Sequence, residues 1–142
     1  MLLGTFEHSI DDKGRLNIPA KFRAKLGEVV YVSKGFDGCL EIRKPEDFEK
    51  WSNELLSHSN TKKSTRLLSR EILGNTSDVN FDKVGRISFP SNLLTIANIK
   101  KEVLIIGQGN KLEIWDVKSY SDYLKENSAS LEAVAEEFGG TQ

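Results

Sequence analysis

The apolar and polar positions of this chain follow two periods. Short segments in which apolar residues alternate with polar ones, or run together between turn residues, predict strands. These segments are residues 8–10, 15–18, 29–32, 39–42, 79–81, 86–89, 103–106 and 112–115. Apolar residues that recur at helical spacing predict helices. The helical segments are 20–26, a segment that begins at Pro45, 61–73, 91–97 and 130–138. The pattern therefore predicts an α+β fold built from short elements.

The same motif occurs twice in the sequence. Residues 11–19 are Asp-Asp-Lys-Gly-Arg-Leu-Asn-Ile-Pro, and residues 82–90 are Asp-Lys-Val-Gly-Arg-Ile-Ser-Phe-Pro. The offset is 71 residues (85 − 14 = 71), half of the 142-residue chain. At an offset of 72, Leu-Glu-Ile recurs at 40–42 and 112–114, and Phe48 and Trp51 correspond to Tyr120 and Tyr123. A self-match of this length indicates a duplicated unit.

Two copies are too few for a solenoid, which needs several stacked units to bury a continuous core. Two copies can instead form a closed object, and we expect a pseudo-two-fold β-barrel with flanking helices. We expect a first repeat with its helix at 1–60, a basic helical connection at 61–76, a second repeat at 77–127 and an acidic C-terminal helix at 128–142. Ser130 is the expected N-cap of the last helix. Its apolar stripe, which suits packing or subunit contact, contains Leu131, Val134, Ala135 and Phe138.

The composition is that of an ordinary globular protein, with 38% hydrophobic and 29% charged residues. The N-terminus lacks the basic start and apolar run of a signal peptide, and no apolar stretch approaches membrane-spanning length. We therefore expect a soluble, cytoplasmic protein with no membrane partner. The single cysteine, Cys39, excludes an intramolecular disulfide. Its alignment with Lys111 in the second copy favours a buried or half-buried strand residue over a reactive thiol.

The net charge of −1 hides an uneven distribution of charge. Residues 113–142 contain seven acids and two bases, so the first 112 residues carry a net charge of +4. Bases occur without acids at 13–25 and at 62–70, and a third group consists of Lys83, Arg86, Lys100 and Lys101. A basic run is usually a solvated face. Two such runs at equivalent positions of a repeat nevertheless favour an anion-binding surface.

Both motifs place an aspartate and a glycine in a tight hairpin turn. The aspartates, Asp11 and Asp82, are expected to brace the turn by hydrogen bonds from side chain to backbone. The glycines, Gly14 and Gly85, are expected to supply a positive φ. Turn formation alone does not explain the arginine that follows each glycine.

The two arginines, Arg15 and Arg86, begin a strand directly after the turn and are expected to project from an end of the barrel. Such a side chain can pair with the aspartate four residues earlier, or it can bind phosphate or a guanine edge with its forked donors. The aspartate could also aim the fork, which would lower the ordering cost of binding.

Catalysis has little support in the sequence. His8 and His58 lie in unrelated contexts, with no cysteine or carboxylate at ligand spacing. No Gly-rich phosphate loop and no nucleophile elbow occur. The Asp11-Asp12 pair becomes Asp82-Lys83 in the second copy, which removes any symmetric acid–base pair. We expect no enzyme activity, no metal site and no cofactor.

Residues 4–23 resemble the N-terminal signature of the MraZ family of bacterial transcriptional regulators. They read Gly-Thr-Phe-Glu-His-Ser-Ile-Asp-Asp-Lys-Gly-Arg-Leu-Asn-Ile-Pro-Ala-Lys-Phe-Arg. Residues 82–90 resemble the second motif of that family, and Gly107-Gln108 followed by Leu112-Glu113-Ile114-Trp115 resembles what comes after it. The resemblance extends over nearly the whole chain.

The resemblance implies an AbrB-like fold, in which two tandem swapped-hairpin half-units form the barrel. It also implies a ring-shaped homo-oligomer that binds double-stranded DNA and is associated with the nucleoid. Its implied target is a set of short G-rich direct repeats upstream of the division and cell-wall gene cluster. The DNA-contacting arginines of the family correspond to Arg15 and Arg86. With the neighbouring bases, the expected DNA-binding set is Lys13, Arg15, Lys21, Arg23, Lys83 and Arg86.

The second copy departs from the first after its motif. Residues 92–94 are Asn-Leu-Leu where residues 21–23 are Lys-Phe-Arg. The second half, without a counterpart to Arg23, is therefore expected to contribute less to DNA binding. The alternative function is an oligomeric partner-binding module whose basic face is only solvated. The salt dependence of binding distinguishes DNA binding from this alternative, because contacts with phosphates release counterions and make the affinity for DNA fall steeply as the salt concentration rises.

Overall fold

The computed structural model of the chain describes residues 1–57 and 59–139. The eight strands within these residues are β1 (Leu2–Ser9), β2 (Arg15–Asn17), β3 (Val29–Lys34), β4 (Leu40–Arg43), β5 (Thr76–Asn80), β6 (Arg86–Ser88), β7 (Glu102–Gly109) and β8 (Leu112–Asp116). The six helices of the same residues are α1 (Ala20–Leu26), α2 (Pro45–Leu55), α3 (Lys63–Leu73), α4 (Ser91–Ile96), α5 (Val117–Glu126) and α6 (Leu131–Gly139). The predicted α+β class is confirmed.

Strands from the two halves are interleaved in one antiparallel sheet. Its order is β1-β7-β8-β4-β3-β5, and the other two strands, β2 and β6, pair in a separate ribbon. The first strand of each half pairs with the third strand of the other half, so that β1 pairs with β7 and β5 pairs with β3. The two halves therefore share their sheet and do not form separate units.

Equivalent residues of the two repeats face each other at two places. In the ribbon, Leu16 lies opposite Ile87, and in the sheet Glu41 lies opposite Glu113. Antiparallel pairing of equivalent segments relates them by a local two-fold rotation. The repeat in the sequence thus becomes a pseudo-two-fold relation in the pairing of the strands.

The expected closed barrel is not found among the described strands. Strands β1 and β5 form the two edges of the six-stranded sheet, and no pairing joins these edges within residues 1–57 and 59–139. The α+β class is confirmed, whereas the barrel expected from the repeat and the swapped-hairpin arrangement implied by the resemblance are not.

Strand β1 is longer than the sequence pattern predicted. It extends over eight residues, all paired with β7; Leu2 is buried and Phe6 and His8 are half-buried, while the other five residues are exposed. The pairing brings the two backbones close together at Gly107, where a Cβ would lie 2.6 Å from the backbone of Leu2 and Leu3. The close approach of the two backbones explains why a glycine occupies this position of β7.

One hydrophobic core joins the ribbon, the short helices and the sheet. Leu16 and Ile87 of the ribbon are fully buried in it. Phe22 of α1 and Leu93 of α4, which are equivalent in the two repeats, contribute from the helices. The sheet contributes alternate residues of both halves, namely Val30, Val32, Leu40, Ile42, Val103, Ile105, Leu112 and Ile114.

Helices α2 and α5 correspond to each other in the repeat and hold their aromatic residues in related ways. The Arg43 guanidinium of β4 lies 3.8 Å from the ring centroid of Trp51 in α2, and at the equivalent positions of the second half the ring centroids of Trp115 in β8 and Tyr123 in α5 lie 5.2 Å apart. Helix α6 begins after Ser130, whose Oγ accepts a hydrogen bond from Ala133 N (3.1 Å). No helix of the described residues is both long enough and apolar enough to cross a lipid bilayer.

We expect Leu16→Ala to lower the free energy of unfolding by about 2–5 kcal/mol, because truncation of a fully buried leucine leaves a cavity. Ile87→Ala should have a similar effect. The two losses should not add in the double variant, since the side chains lie opposite each other and line the same space. Urea denaturation measures these changes. Val84→Ala, at a position that is 62% exposed, is the control and should change stability by less than about 0.5 kcal/mol.

Candidate nucleic-acid interface

Each repeated turn is closed by its aspartate. In the first turn, Asp11 Oδ1 accepts hydrogen bonds from the backbone N–H groups of Lys13 (3.0 Å) and Arg15 (2.8 Å). The backbone of Asp11 also bonds across the turn, since its N–H donates to Arg15 O (3.0 Å) and its carbonyl accepts from Gly14 N (3.0 Å). The carboxylate and the backbone together hold the start of β2 in one conformation.

The second turn repeats these contacts. Asp82 Oδ1 accepts from Val84 N (3.0 Å) and Arg86 N (2.9 Å). Asp82 N donates to Arg86 O (2.9 Å), and Gly85 N donates to Asp82 O (3.1 Å). Two turns that differ in several side chains therefore adopt the same hydrogen-bonded geometry.

The glycine of each turn joins the two halves. Gly14 has a φ of 76° and Gly85 a φ of 84°, a region in which side chains other than glycine are strained. The carbonyl of Gly14 accepts from Phe89 N (2.9 Å), and that of Gly85 accepts from Ile18 N (3.2 Å). Each turn is thus fixed to the strand that follows the other turn, which extends the ribbon at both ends.

The second oxygen of each aspartate holds the arginine side chain. Arg15 Nε donates to Asp11 Oδ2 at 2.7 Å, and Arg86 Nε donates to Asp82 Oδ2 at the same distance. Each arginine side chain is 30% exposed. Within the part of the chain that the structure describes, the Nη groups of both arginines donate no hydrogen bond. The aspartate therefore fixes the guanidinium at Nε and leaves its two Nη groups for a ligand.

The hydrogen bonds also set the charge of the carboxylates. They lower the pKa of Asp11 and the pKa of Asp82 below the ordinary value of 3.8. The largest cause in each case is the bond from the backbone N–H of the arginine four residues later. Both carboxylates are therefore ionised at neutral pH and keep their guanidinium partners.

Both arginines lie on one face of the ribbon. In its register, Arg15 is opposite Ser88 and Asn17 is opposite Arg86. Since alternate residues of a strand share a face, these four side chains point away from the buried Leu16–Ile87 pair. Residues in this diagonal relation lie roughly 7–8 Å apart, so the two guanidinium groups form one polar surface. Asn17 and Ser88, which sequence analysis did not select, belong to it.

The other predicted bases do not all join this surface. Lys13 and Lys83 are exposed in the two turns, beside the arginines. Lys21 lies elsewhere, because its Nζ is 4.9 Å from the ring centroid of Phe6 and 5.3 Å from that of Phe22. Its ammonium group therefore lies over the aromatic pair between α1 and β1.

The side chain of Arg23 packs against the second turn, although Arg23 belongs to α1 of the first repeat. Its Nε donates to Ile18 O (2.9 Å), and its guanidinium covers the backbone of Gly85. Sequence analysis assigned Arg23 to the half that contains it, because no local pattern indicates a contact with a residue so distant in the chain. The structure brings it to the turn that holds Arg86.

A buried charged cluster, also missed from the sequence, lies at the pairing of β4 with β8. Glu41 is almost completely buried and accepts from Arg43 Nη1 (2.6 Å) and Lys111 Nζ (2.9 Å). The Arg43 guanidinium lies 3.8 Å from the ring centroid of Trp51. Glu113 lies opposite Glu41 and accepts from the indole nitrogen of Trp115 (3.0 Å).

The same region brings Cys39 close to the two glutamates, in a set that has the donors of a metal site. The Lys111 ammonium already lies between the carboxylates, 2.9 Å from Glu41 and 3.7 Å from Glu113. Burial raises the pKa of the Cys39 thiol far above its ordinary value, so the sulfur is a poor ligand and a poor nucleophile. His8 is half-buried on β1, and His58 lies outside the described residues.

A family model described as "MraZ protein, putative antitoxin-like" matches the chain twice, at residues 1–71 and 72–139. The two matches coincide with the two halves of the duplication. The chain belongs to the MraZ family. It is 53% identical to the transcriptional regulator MraZ of Mesoplasma florum over 96% of this chain and 94% of that protein.

Other relatives have the same description. The transcriptional regulator MraZ of Mycoplasmoides gallisepticum is 40% identical, over 96% of both chains. That of Spiroplasma kunkelii is also 40% identical, again over 96% of both chains. These similarities support a role in transcriptional regulation and place the chain in a family of regulators, not of enzymes.

We expect Asp11→Asn and Asp11→Ala to separate the two functions of the carboxylate. The amide oxygen of asparagine still accepts from the backbone N–H groups, so Asp11→Asn should keep most of the melting temperature while it releases the guanidinium. Asp11→Ala removes both functions and should lower the melting temperature further. Thermal melts measure stability, and ¹⁵N NMR of the Arg15 Nε–H group reports whether the guanidinium is held.

The pH dependence provides a control for the charge of Asp11. Its pKa is lowered from 3.8 in the folded protein, so its contribution to stability is present above that pH and is lost as the pH falls through the lowered value. The difference in stability between wild type and Asp11→Asn should therefore shrink below pH 3.8. A difference that is constant with pH would mean that the ionised carboxylate does not contribute.

Proposed function

We propose that this protein is a sequence-specific DNA-binding transcriptional regulator that inserts the outer face of the β2–β6 ribbon into the major groove. The observation that supports this most directly is the pair of arginines on that face, each held by an aspartate at Nε. A two-stranded β-ribbon has dimensions that the major groove admits. DNA binding would also associate the protein with the nucleoid.

The geometry of the arginines suits guanine. With Nε bound to the aspartate, the two Nη groups can donate together to O6 and N7 of one guanine, a contact that discriminates by roughly 1–3 kcal/mol against another base. The neighbouring Asn17 and Ser88 offer shorter hydrogen-bonding groups on the same face. Lys13 and Lys83 are exposed beside the ribbon and suit phosphates, which position a protein without specifying sequence.

One chain presents two arginines, which read few base pairs. We therefore propose that several subunits act together on short G-rich tandem repeats, upstream of the division and cell-wall gene cluster. Linked copies of a weak contact raise affinity strongly when their spacing matches that of the target. The names of the relatives support the regulatory role. The proposal that the targets are these repeats and this gene cluster rests on the resemblance in sequence.

Helix α6 supports a homo-oligomer in which it docks on a second copy of this chain. All of its described residues are exposed, including Leu131 (80%) and Val134 (51%), at helical spacing. Its charges are all acidic, namely Glu132, Glu136 and Glu137. Leu131 and Val134, which are exposed beside these acids, suit a partner surface that is both apolar and basic.

Helix α3 has these complementary properties. It carries Lys63, Arg66 and Arg70 at exposed positions, and the exposed Leu67 lies among them. A contact between α6 of one subunit and α3 of the next is heterologous, because it joins two different surfaces. Heterologous contacts form a ring when the rotation between subunits closes, so this pairing supports the proposed ring.

We expect Arg15→Ala to abolish specific DNA binding and leave the fold intact. A partly exposed arginine at a strand start contributes little to the core, so stability should change by less than about 0.5 kcal/mol. The loss of a guanine contact repeats in every subunit that touches the DNA. Fluorescence anisotropy with the DNA upstream of the protein's own gene, against a scrambled duplex of equal length, measures specificity, and a thermal melt measures stability.

The salt dependence of wild-type binding separates this function from that of a partner-binding module. Neutralised phosphates make the logarithm of the affinity fall steeply with the logarithm of the salt concentration. Wild-type affinity in Arg15→Ala, with an unchanged melt, would remove the arginine from the interface. Absence of DNA binding by the wild-type protein at low salt would contradict the proposed function as a whole.

We expect the double variant Glu132→Lys with Glu136→Lys to break the oligomer, because it places bases opposite the basic helix α3. Adding Lys63→Glu and Arg70→Glu should restore assembly through the reversed pairs. Light scattering at micromolar concentration measures the mass. Glu54→Lys, an exposed acid on α2, is the matched control and should leave the mass unchanged. A monomeric wild-type protein that still binds DNA specifically would contradict the proposed ring.

A further inference from the structure

The guanidinium of Arg23 is built into the turn of the other half. A Cβ on Gly85 would collide with Nη1 of Arg23, so the guanidinium occupies the space over that glycine. Arg23 Nε donates to Ile18 O (2.9 Å), and Ile18 N donates to Gly85 O (3.2 Å). The backbone of Ile18 thus connects the arginine to the second turn. Among the described residues, the Nη groups of Arg23 donate no hydrogen bond.

The equivalent position of the first turn is apolar. At the offset of 71 residues, Arg23 corresponds to Leu94 and Gly85 corresponds to Gly14. A Cβ on Gly14 would lie 3.3 Å from Leu94 Cδ1. The two turns share their backbone and their aspartate–arginine pair, but a cation covers one of them and a methyl group covers the other.

Arg23 opens onto a groove beside the second turn. The groove has a volume of about 460 Å³, and Arg23, Lys83 and Asp82 are among its lining residues. The carboxylate of Asp82 is already bonded to Arg86 and to the backbone. Glu28 is the other acid of the groove; its side chain is exposed, and its backbone carbonyl accepts a hydrogen bond from Phe81 N (3.1 Å). Two bases on a groove next to Arg86 suit a phosphate of the strand whose base Arg86 contacts.

We propose that Arg23 binds a DNA backbone phosphate next to the site of Arg86, and so serves the second turn and not the turn of its own repeat. This rests on the proposed DNA binding. With this assignment the DNA-binding surface is asymmetric, because the second turn has a phosphate-binding arginine and the first turn has Leu94 at the equivalent position. The second half, expected from the sequence to contribute less, then has the additional base.

Two reciprocal substitutions test the assignment. Arg23→Leu gives the second turn the residue type of the first, and Leu94→Arg gives the first turn the residue type of the second. Lys118→Gln is the matched control, since it removes one positive charge from an 84% exposed side chain on α5. Each variant is measured by anisotropy on the same duplex over a range of salt concentrations, beside a thermal melt.

Arg23→Leu should weaken binding about tenfold on cognate and scrambled DNA alike. The slope of log affinity against log salt should fall by about one for each bound subunit. Leu94→Arg should raise both the affinity for DNA and the salt slope. Lys118→Gln should leave the affinity and the salt slope unchanged, apart from a small effect that disappears at higher salt. The Leu94→Arg variant also tests the proposal independently of how well Arg23→Leu folds.

Double-mutant cycles identify the turn that Arg23 serves. Arg15→Lys and Arg86→Lys keep the charge and remove the fork, so binding stays measurable. Arg23→Leu should be coupled to Arg86→Lys and additive with Arg15→Lys. Three results would overturn the proposal, provided that the wild-type protein binds DNA. The first is coupling of Arg23→Leu to Arg15→Lys alone, and the second is an unchanged salt slope in Arg23→Leu together with a lower melting temperature. The third is a DNA affinity in Leu94→Arg that is no higher than that of the wild type. If the wild-type protein binds no DNA, the proposed function fails first.

Discussion

The pairing of β2 with β6 is the interaction on which the rest of the molecule depends. It places Leu16 opposite Ile87, both fully buried, at the centre of a core that neither repeat could enclose alone. The same pairing turns Arg15 and Arg86 to one outer face. It is extended at both ends by hydrogen bonds from Phe89 to Gly14 and from Ile18 to Gly85. One face of the short β2–β6 ribbon thus packs in the hydrophobic core, and the other face forms the candidate nucleic-acid interface.

The aspartate of each turn links this architecture to the proposed recognition of DNA. One carboxylate oxygen accepts from the backbone and the other from the guanidinium, so the conformation of the turn and the direction of the arginine are set by the same group. An arginine side chain has about 2 kcal/mol of rotamer entropy to lose. Because the aspartate orders part of that side chain when the protein folds, less ordering is left for the binding step.

The pseudo-symmetry has a physical limit. A two-fold relation through the sheet places Glu41 opposite Glu113, and like charges directly opposite each other are destabilising. Lys111 and Arg43 neutralise the pair from positions where the other repeat has Cys39 and Trp115. The two copies therefore differ where their symmetry would bring equal charges together. The exchange of Arg23 for Leu94 makes the turns differ as well, at the proposed DNA-binding surface.

The sequence by itself determined the duplication, because comparison of the two halves of the chain is enough to find a repeat. It also determined the two braced turns, the arginines that follow them and the short helices α1 and α4, because each of these depends on residues that are close in the chain. The partners in the sheet were decided only by the tertiary structure. All eight residues of β1 pair with β7 of the other repeat, and Glu41 accepts a hydrogen bond from Lys111 of the other repeat. Arg23 shows the reason most clearly. Its neighbours in sequence indicate a basic helix, but its position in space depends on how the two halves pair, and a local pattern contains no information about that pairing.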